Sequence, residues 1–266
     1  MGPEPLRRSR SPRTCKAQAM NGSMIDVPTP DGVADAYLTR PADDGTYPGV
    51  LFIIDAIGLR DRIKEMADRI AAQGYVVLAP NVFYRAGRAP LWKTPDLTNS
   101  DARSAFFAQL RPLMGSITPE VIVRDGGAYL DALAEQSTGP FAVTGYCFGG
   151  RIGWTIAAAN PERVVAVGGF HTGRMVTDDA DSPHLLAPQV KAEVYWGHAD
   201  KDDSMTPENI ATLDRAMDAA GVVHTTLTYE GAQHGYTMSD MGAYDEVAAE
   251  RHFDALFSLL ARTVAA

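Results

Sequence analysis

Cysteine is scarce in this 266-residue chain: only Cys15 and Cys147 occur. Two thiols cannot build a disulfide framework, and the pattern fits a reduced, cytoplasmic setting. Zinc sites made from paired cysteines are excluded for the same reason. Long apolar runs are missing as well. None approaches the roughly 20 residues of a membrane-spanning helix, so no membrane partner is expected. Positive charge is also in short supply, with 24 Lys and Arg against 33 Asp and Glu and a net charge of −9. The body of the chain has no Lys/Arg cluster able to neutralise a phosphate backbone, which argues against a nucleic-acid partner. A small anionic substrate stays compatible, because one arginine can hold a carboxylate inside an acidic protein. The apolar fraction of 45% is ordinary for a globular protein and supplies the core of a single α/β domain.

The N-terminus differs from the rest. Arg7-Arg8-Ser9-Arg10-Ser11-Pro12-Arg13 lacks apolar periodicity, and before Met24 five basic residues stand against one acid. No apolar segment follows the arginines, as a secretion signal requires. Residues 1–23 therefore read as a disordered extension, with Met20 or Met24 as alternative starts, and residues 24–266 as one domain. From Met24 strands and helices alternate. Strands are expected over Ala34–Thr39, Gly49–Ile54, Tyr75–Ala79, Phe141–Gly145, Val164–Phe170, Ala192–Trp196 and Val223–Tyr229. Helices fall over Asp61–Gln73, around Ile122–Leu133, and near Gly149–Asn160, Pro207–Ala220 and Ala243–Ala261; Asn81–Ser100 reads as loop. Continuous apolar strands separated by amphipathic helices imply a mostly parallel sheet flanked by helices on both faces. Ligands in such sheets bind beyond the carboxyl ends of the strands.

The most informative stretch is Thr144-Gly145-Tyr146-Cys147-Phe148-Gly149-Gly150. It follows a strand and opens a helix, the context a nucleophile turn requires. Gly145 and Gly149 remove side chains that would clash at so sharp a turn. The helix N-terminus favours a thiolate, and the Phe148 amide can stabilise an oxyanion. Against this stands the bland reading of Cys147 as a small buried hydrophobe.

His234, in Gly231-Ala232-Gln233-His234-Gly235, follows the last strand downstream of the nucleophile and is the candidate base. His171 and His198 also follow strands and are placed at the site mouth. The orienting acid is sought in Trp196-Gly197-His198-Ala199-Asp200-Lys201-Asp202-Asp203, where Asp200 is chosen and Asp202 and Asp203 read as a solvated cluster at a helix start. A calcium loop fails there, because Met205 occupies the position that needs glycine. No metal and no cofactor is expected.

With Cys147, Asp200 and His234 in that order, the chain resembles the dienelactone hydrolase family from Met24 to the C-terminus. G-Y-C-F-G-G at the nucleophile, G-x-x-D ending at Asp200 and G-A-Q-H-G at the histidine carry the resemblance. It implies an α/β-hydrolase fold and cleavage of a small enol-lactone or activated ester through a Cys147 thioester. In the family a glutamate after an early strand helps to ionise the thiol, and the matching residue here is Asp55, one methylene shorter. The Ala56 amide falls where the family draws its second oxyanion donor. Arg85 matches a carboxylate-binding arginine, and Ile57, Tyr84 and His171 complete the candidate substrate-binding set. A second family arginine, four residues after the histidine, is Met238 here. The rival readings are a non-catalytic small-molecule binder and a redox-responsive thiol protein. The intact Cys147, Asp200 and His234 count against the first, and the lack of a second cysteine in the body counts against the second.

Overall fold

A computed structural model describes residues 20–264. Its strands are β1 (Met20–Thr29), β2 (Gly32–Pro41), β3 (Pro48–Ile53), β4 (Val76–Pro80), β5 (Thr138–Tyr146), β6 (Val164–Phe170), β7 (Glu193–Lys201) and β8 (His224–Gln233). The helices are α1 (Asp61–Ala71), α2 (Ser100–Gly115), α3 (Pro119–Ala134), α4 (Phe148–Ala159), α5 (Pro207–Ala220) and α6 (Glu246–Thr263). The strands form one sheet in the order β1-β2-β4-β3-β5-β6-β7-β8. β1, β2 and β4 pair antiparallel in turn, and every other pairing is parallel.

Both faces of the central strands are covered, which is why those strands are apolar throughout. A Cβ on Gly153 would stand 2.9 Å from Val143 Cγ1, so the face bearing Val143 carries α4. Gly168 points to the other face, where Leu256 of α6 comes within 3.1 Å of its Cβ position. α1 shares that face with α6: Arg69 donates to both carboxylate oxygens of Glu250 at 2.6 and 2.5 Å, and lies 3.9 Å from the Phe253 ring centroid. In α1 the buried residues Ile63, Met66, Ala67, Ile70 and Ala71 form one stripe at helical spacing. α4 is covered nearly all round, with Arg151 and Ala159 the exceptions. Truncating a fully buried side chain such as Leu256 to alanine costs about 2–5 kcal/mol in cores of this kind.

Away from the site the elements differ from expectation at β1, α2 and α6. β1 begins at Met20, opposite Pro41 of β2, so residues 20–23 belong to the sheet rather than to an extension; residues 1–19 lie outside the described residues. β1 is an edge strand with only Val27 buried, so it carries no apolar run to read. α2 was not anticipated, since only Phe106 and Leu110 on it are buried. Asn99 starts it by accepting the amides of Asp101 and Ala102 at 3.0 and 2.9 Å. The last helix starts at Glu246 because Asp245 caps it, accepting the Ala248 amide at 3.0 Å.

Candidate active site

β5 passes into α4 through a single residue, Cys147, whose φ of 54° and ψ of −118° are unfavourable for any residue with a side chain. Its amide is fixed by donation to Phe170 O at 3.0 Å. Two glycines make the turn possible. A Cβ on Gly145 would fall 2.6 Å from the Gly149 carbonyl carbon, and one on Gly149 would fall 2.9 Å from the Ile53 carbonyl carbon. Without those side chains the start of α4 presses on the end of β3, and the turn Asp55–Gly58, closed by the Gly58 amide on Asp55 O at 3.3 Å, follows directly from there. Phe148 is the first residue of α4, a position whose amide finds no acceptor within the helix.

His234 follows β8 and reaches the thiol: Nε2 lies 2.9 Å from Cys147 Sγ. Its Nδ1 donates to Asp202 Oδ2 at 2.6 Å. The acid in contact with the histidine is therefore Asp202, not Asp200. β7 runs to Lys201, five residues beyond the expected Trp196, so the turn that aims a carboxylate at His234 begins later. Asp200 is exposed and accepts the Gly231 amide at 2.9 Å. Nor is Asp202 a solvated helix-start residue: its side chain is only 4% exposed. Its second oxygen accepts from Ser204 N at 2.9 Å and Ser204 Oγ at 2.6 Å. Asp202-Asp203-Ser204 forms an Asx-type turn, a local signal that the sequence reading did not use.

Burial alone would depress the His234 pKa, but the negative charge of Cys147 and the bonds to Asp202 and Cys147 raise it well above the usual value. Asp202 is pushed up by burial and brought down further by His234 and Ser204, so it stays ionised. His171 stands behind this pair, its ring 5.3 Å from that of His234 and roughly edge-on. It is fully buried, bonded through Nε2 to Thr237 Oγ1 at 2.7 Å, and burial holds it neutral. It backs the site instead of lining its mouth. His198 is buried too, depressed to about 4 by burial, and stacks beside Trp196.

The other expected substrate contacts are committed elsewhere. Arg85 donates to both oxygens of Asp125 at 2.7 and 2.9 Å and also to Asp31, so it ties the β1–β2 turn to α3. Tyr84 bonds Thr29 at 2.7 Å and Asp125 at 3.2 Å in that same network. Ile57 is buried; its amide donates to Asp55 Oδ1 at 2.9 Å and its carbonyl accepts from Trp92 Nε1 at 2.9 Å. Asp55 does not bond the thiol. Arg60 takes both of its oxygens, at 2.8 and 2.9 Å, and also holds Asp240. An aromatic wall went unread in the sequence: Phe83 stacks on Phe148 with centroids 5.8 Å apart, and Trp92 packs against Phe83 at 6.3 Å. Among the described residues no helix is long and apolar enough to cross a membrane.

Residues 34–264 match the profile of the "Dienelactone hydrolase family". A Salmonella typhi protein named "Putative carboxymethylenebutenolidase" is 26% identical over 87% of this chain and 84% of its own length. The Rhodococcus opacus protein named "Carboxymethylenebutenolidase" is 27% identical over 75% of this chain and 74% of its own. In fold, the chain superposes with a TM-score of 0.80 on the crystal structure of the "Putative Dienelactone Hydrolase" of Klebsiella pneumoniae subsp. pneumoniae MGH 78578. That pair shares 22% identity over 92% of this chain and 99% of the other.

Proposed function

This chain belongs to the dienelactone hydrolase family, and from that premise we propose that it cleaves a lactone or activated carboxylic ester through a thioester on Cys147. The observation that carries the reading is the continuous contact Cys147 Sγ–His234 Nε2–His234 Nδ1–Asp202 Oδ2, at 2.9 and 2.6 Å. His234 Nε2 is within reach of the thiol proton, and its bond to Asp202 favours an imidazole that carries it.

The sulfur attacks the substrate carbonyl, and the amides of Ala56 and Phe148 receive the oxyanion. As the tetrahedral adduct collapses, the carbon–oxygen bond breaks and His234 returns its proton to the leaving oxygen. The thioester then remains on Cys147. His234, now neutral, takes a proton from water; the hydroxide oxygen adds to the thioester, and collapse releases the acid and restores the sulfur. Asp202 fixes the ring so that Nε2 faces the sulfur and supports the charge on the imidazolium. A thiolate has little leverage on amides, whose nitrogen must be protonated to leave. Enols and phenols leave readily, which favours activated esters and enol-lactones. A panel of lactones and p-nitrophenyl esters tests the reading: the wild type turns over members of it and Cys147→Ala turns over none. Hydrolysis retained in Cys147→Ala would reject it.

A further inference from the structure

The Ala56 amide has no acceptor among the described residues, yet the turn around it is tied down on several sides. The Ile57 amide donates to Asp55 Oδ1 at 2.9 Å, and Gly58 O accepts from Arg60 Nη1 at 3.1 Å. Ile57 O accepts from the indole Nε1 of Trp92 at 2.9 Å, a contact that comes from the loop between β4 and α2. The indole also covers the turn, since a Cβ on Gly58 would stand 3.5 Å from Trp92 Cζ2.

Two rigid peptide units connect that indole to the Ala56 amide. Ile57 C=O and Gly58 N–H share one planar trans unit and point in opposite directions, so holding the carbonyl aims the amide. The Gly58 amide donates to Asp55 O, and at 3.3 Å that bond is too long to fix the turn alone. Asp55 C=O and Ala56 N–H form the next trans unit. With its carbonyl turned inward to Gly58, its N–H faces out of the turn. The direction of the Ala56 amide therefore depends on where Trp92 holds Ile57 O.

The indole is itself braced. It packs on Phe83 at 6.3 Å and meets the Phe106 ring of α2 edge-on at 5.8 Å. Phe83 is buried and stacks on Phe148, whose amide is the other oxyanion donor of the proposed reaction. One ring thus touches both the residue that supplies one donor and the residue that steadies the other.

We propose that Trp92 is a positioning residue for the oxyanion hole: its indole N–H holds Ile57 O and so keeps the Ala56 amide aimed at the carbonyl oxygen that Cys147 attacks. The inference rests on the hydrolase reading and adds to it a residue that never touches the reacting atoms. Its effect arises because oxyanion donors accelerate a reaction only when they are oriented before charge develops.

Two variants of the full chain test it: Trp92→Phe and Trp92→benzothienylalanine, the second keeping the bicyclic shape and removing only the N–H. In both, kcat/KM for p-nitrophenyl acetate should fall at least about tenfold, since outright loss of one oxyanion donor costs about 10²–10³. Trifluoroacetone reads the hole without turnover. The sulfur adds to its carbonyl carbon, the π pair moves to oxygen and no group leaves, so the adduct keeps the oxyanion. Its dissociation constant should rise by the factor by which kcat/KM falls. Alkylation of Cys147 by iodoacetamide creates no oxyanion and should stay within twofold of wild type. Hydrolysis and ketone binding both within twofold of wild type in Trp92→benzothienylalanine overturn the clamp and leave the hydrolase reading standing. An alkylation rate that falls in step with the other two also overturns it, because Trp92 would then support the site only in general. Ketone binding weakened tenfold in the variants, with no ester or lactone hydrolysed by the wild type, would sink the hydrolase reading and leave the clamp standing.

Discussion

Asp202 holds His234 with one carboxylate oxygen and Ser204 with the other: Oδ2 accepts from His234 Nδ1 at 2.6 Å, and Oδ1 accepts from Ser204 Oγ at 2.6 Å. The carboxylate is fixed from both sides, and so is the ring it bonds. Asp202→Asn keeps the shape but removes the charge that supports an imidazolium and one guide to its tautomer. The expected loss in kcat is about 10²–10⁴-fold, by analogy with the effect of the same change in serine-type triads. Asp200→Asn, at an exposed side chain, should leave kcat close to wild type. Steady-state kinetics on one activated ester decide the matter. A larger loss in Asp200→Asn than in Asp202→Asn contradicts the assignment.

Arg60 pins the turn after β3 to the loop after the histidine by bonding Asp55 and Asp240 together. The Arg60 side chain is 11% exposed and that of Asp55 3% exposed, so removing the guanidinium strands a buried carboxylate. Arg60→Met should therefore lower stability by about 3–5 kcal/mol in urea unfolding. Asp55→Asn should depress the melting temperature more than it depresses kcat. A collapsed rate at unchanged stability would instead mean that Asp55 acts on the thiol.

Buried neutral histidines make the fold acid-sensitive. Burial, the largest cause in each case, depresses His252 to about 3 and His198 to about 4, and holds His171 well below its usual value. In the unfolded chain each takes up a proton near pH 6.5. The unfolded state thus binds more protons below that pH, and stability falls as pH drops from about 6.5 toward 4, by up to about 1.4 kcal/mol per pH unit for each group. His234 works in the opposite direction: its raised pKa adds stability that is complete below about 6.5 and fades as pH climbs through its folded value. Thermal melts at pH 6.5, 5.5 and 4.5 should show a steady decline, shallower in His252→Gln. A flat melting temperature over that window would contradict the buried-neutral picture.

The parts of the site written in contiguous sequence were legible. Gly145, Cys147 and Gly149 lie between an apolar strand and a helix, and the steric reason for both glycines is local. His234 follows the last strand, as expected, although that strand runs to Gln233 rather than Tyr229. The acid that meets His234 was not singled out because its position depends on where β7 stops, and that strand runs on through the polar residues Asp200 and Lys201, where hydrophobicity gives no signal. Arg85 was misjudged because its partners, Asp31 and Asp125, are distant in sequence and meet it only once β1 and α3 have packed. The edge strand β1 and the half-exposed helix α2 were hidden for a common reason: each buries too little to leave an apolar period.

The measurement closest to the central claim is the covalent state of the protein during turnover. The wild type is mixed with p-nitrophenyl acetate, quenched in acid within the first turnover and digested for peptide mass mapping. The account predicts one acetyl group on the peptide carrying Cys147, removable by neutral hydroxylamine, and none in Cys147→Ala, which also releases no p-nitrophenol above background. An unmodified Cys147 peptide, with p-nitrophenol released as fast by Cys147→Ala as by the wild type, would contradict it.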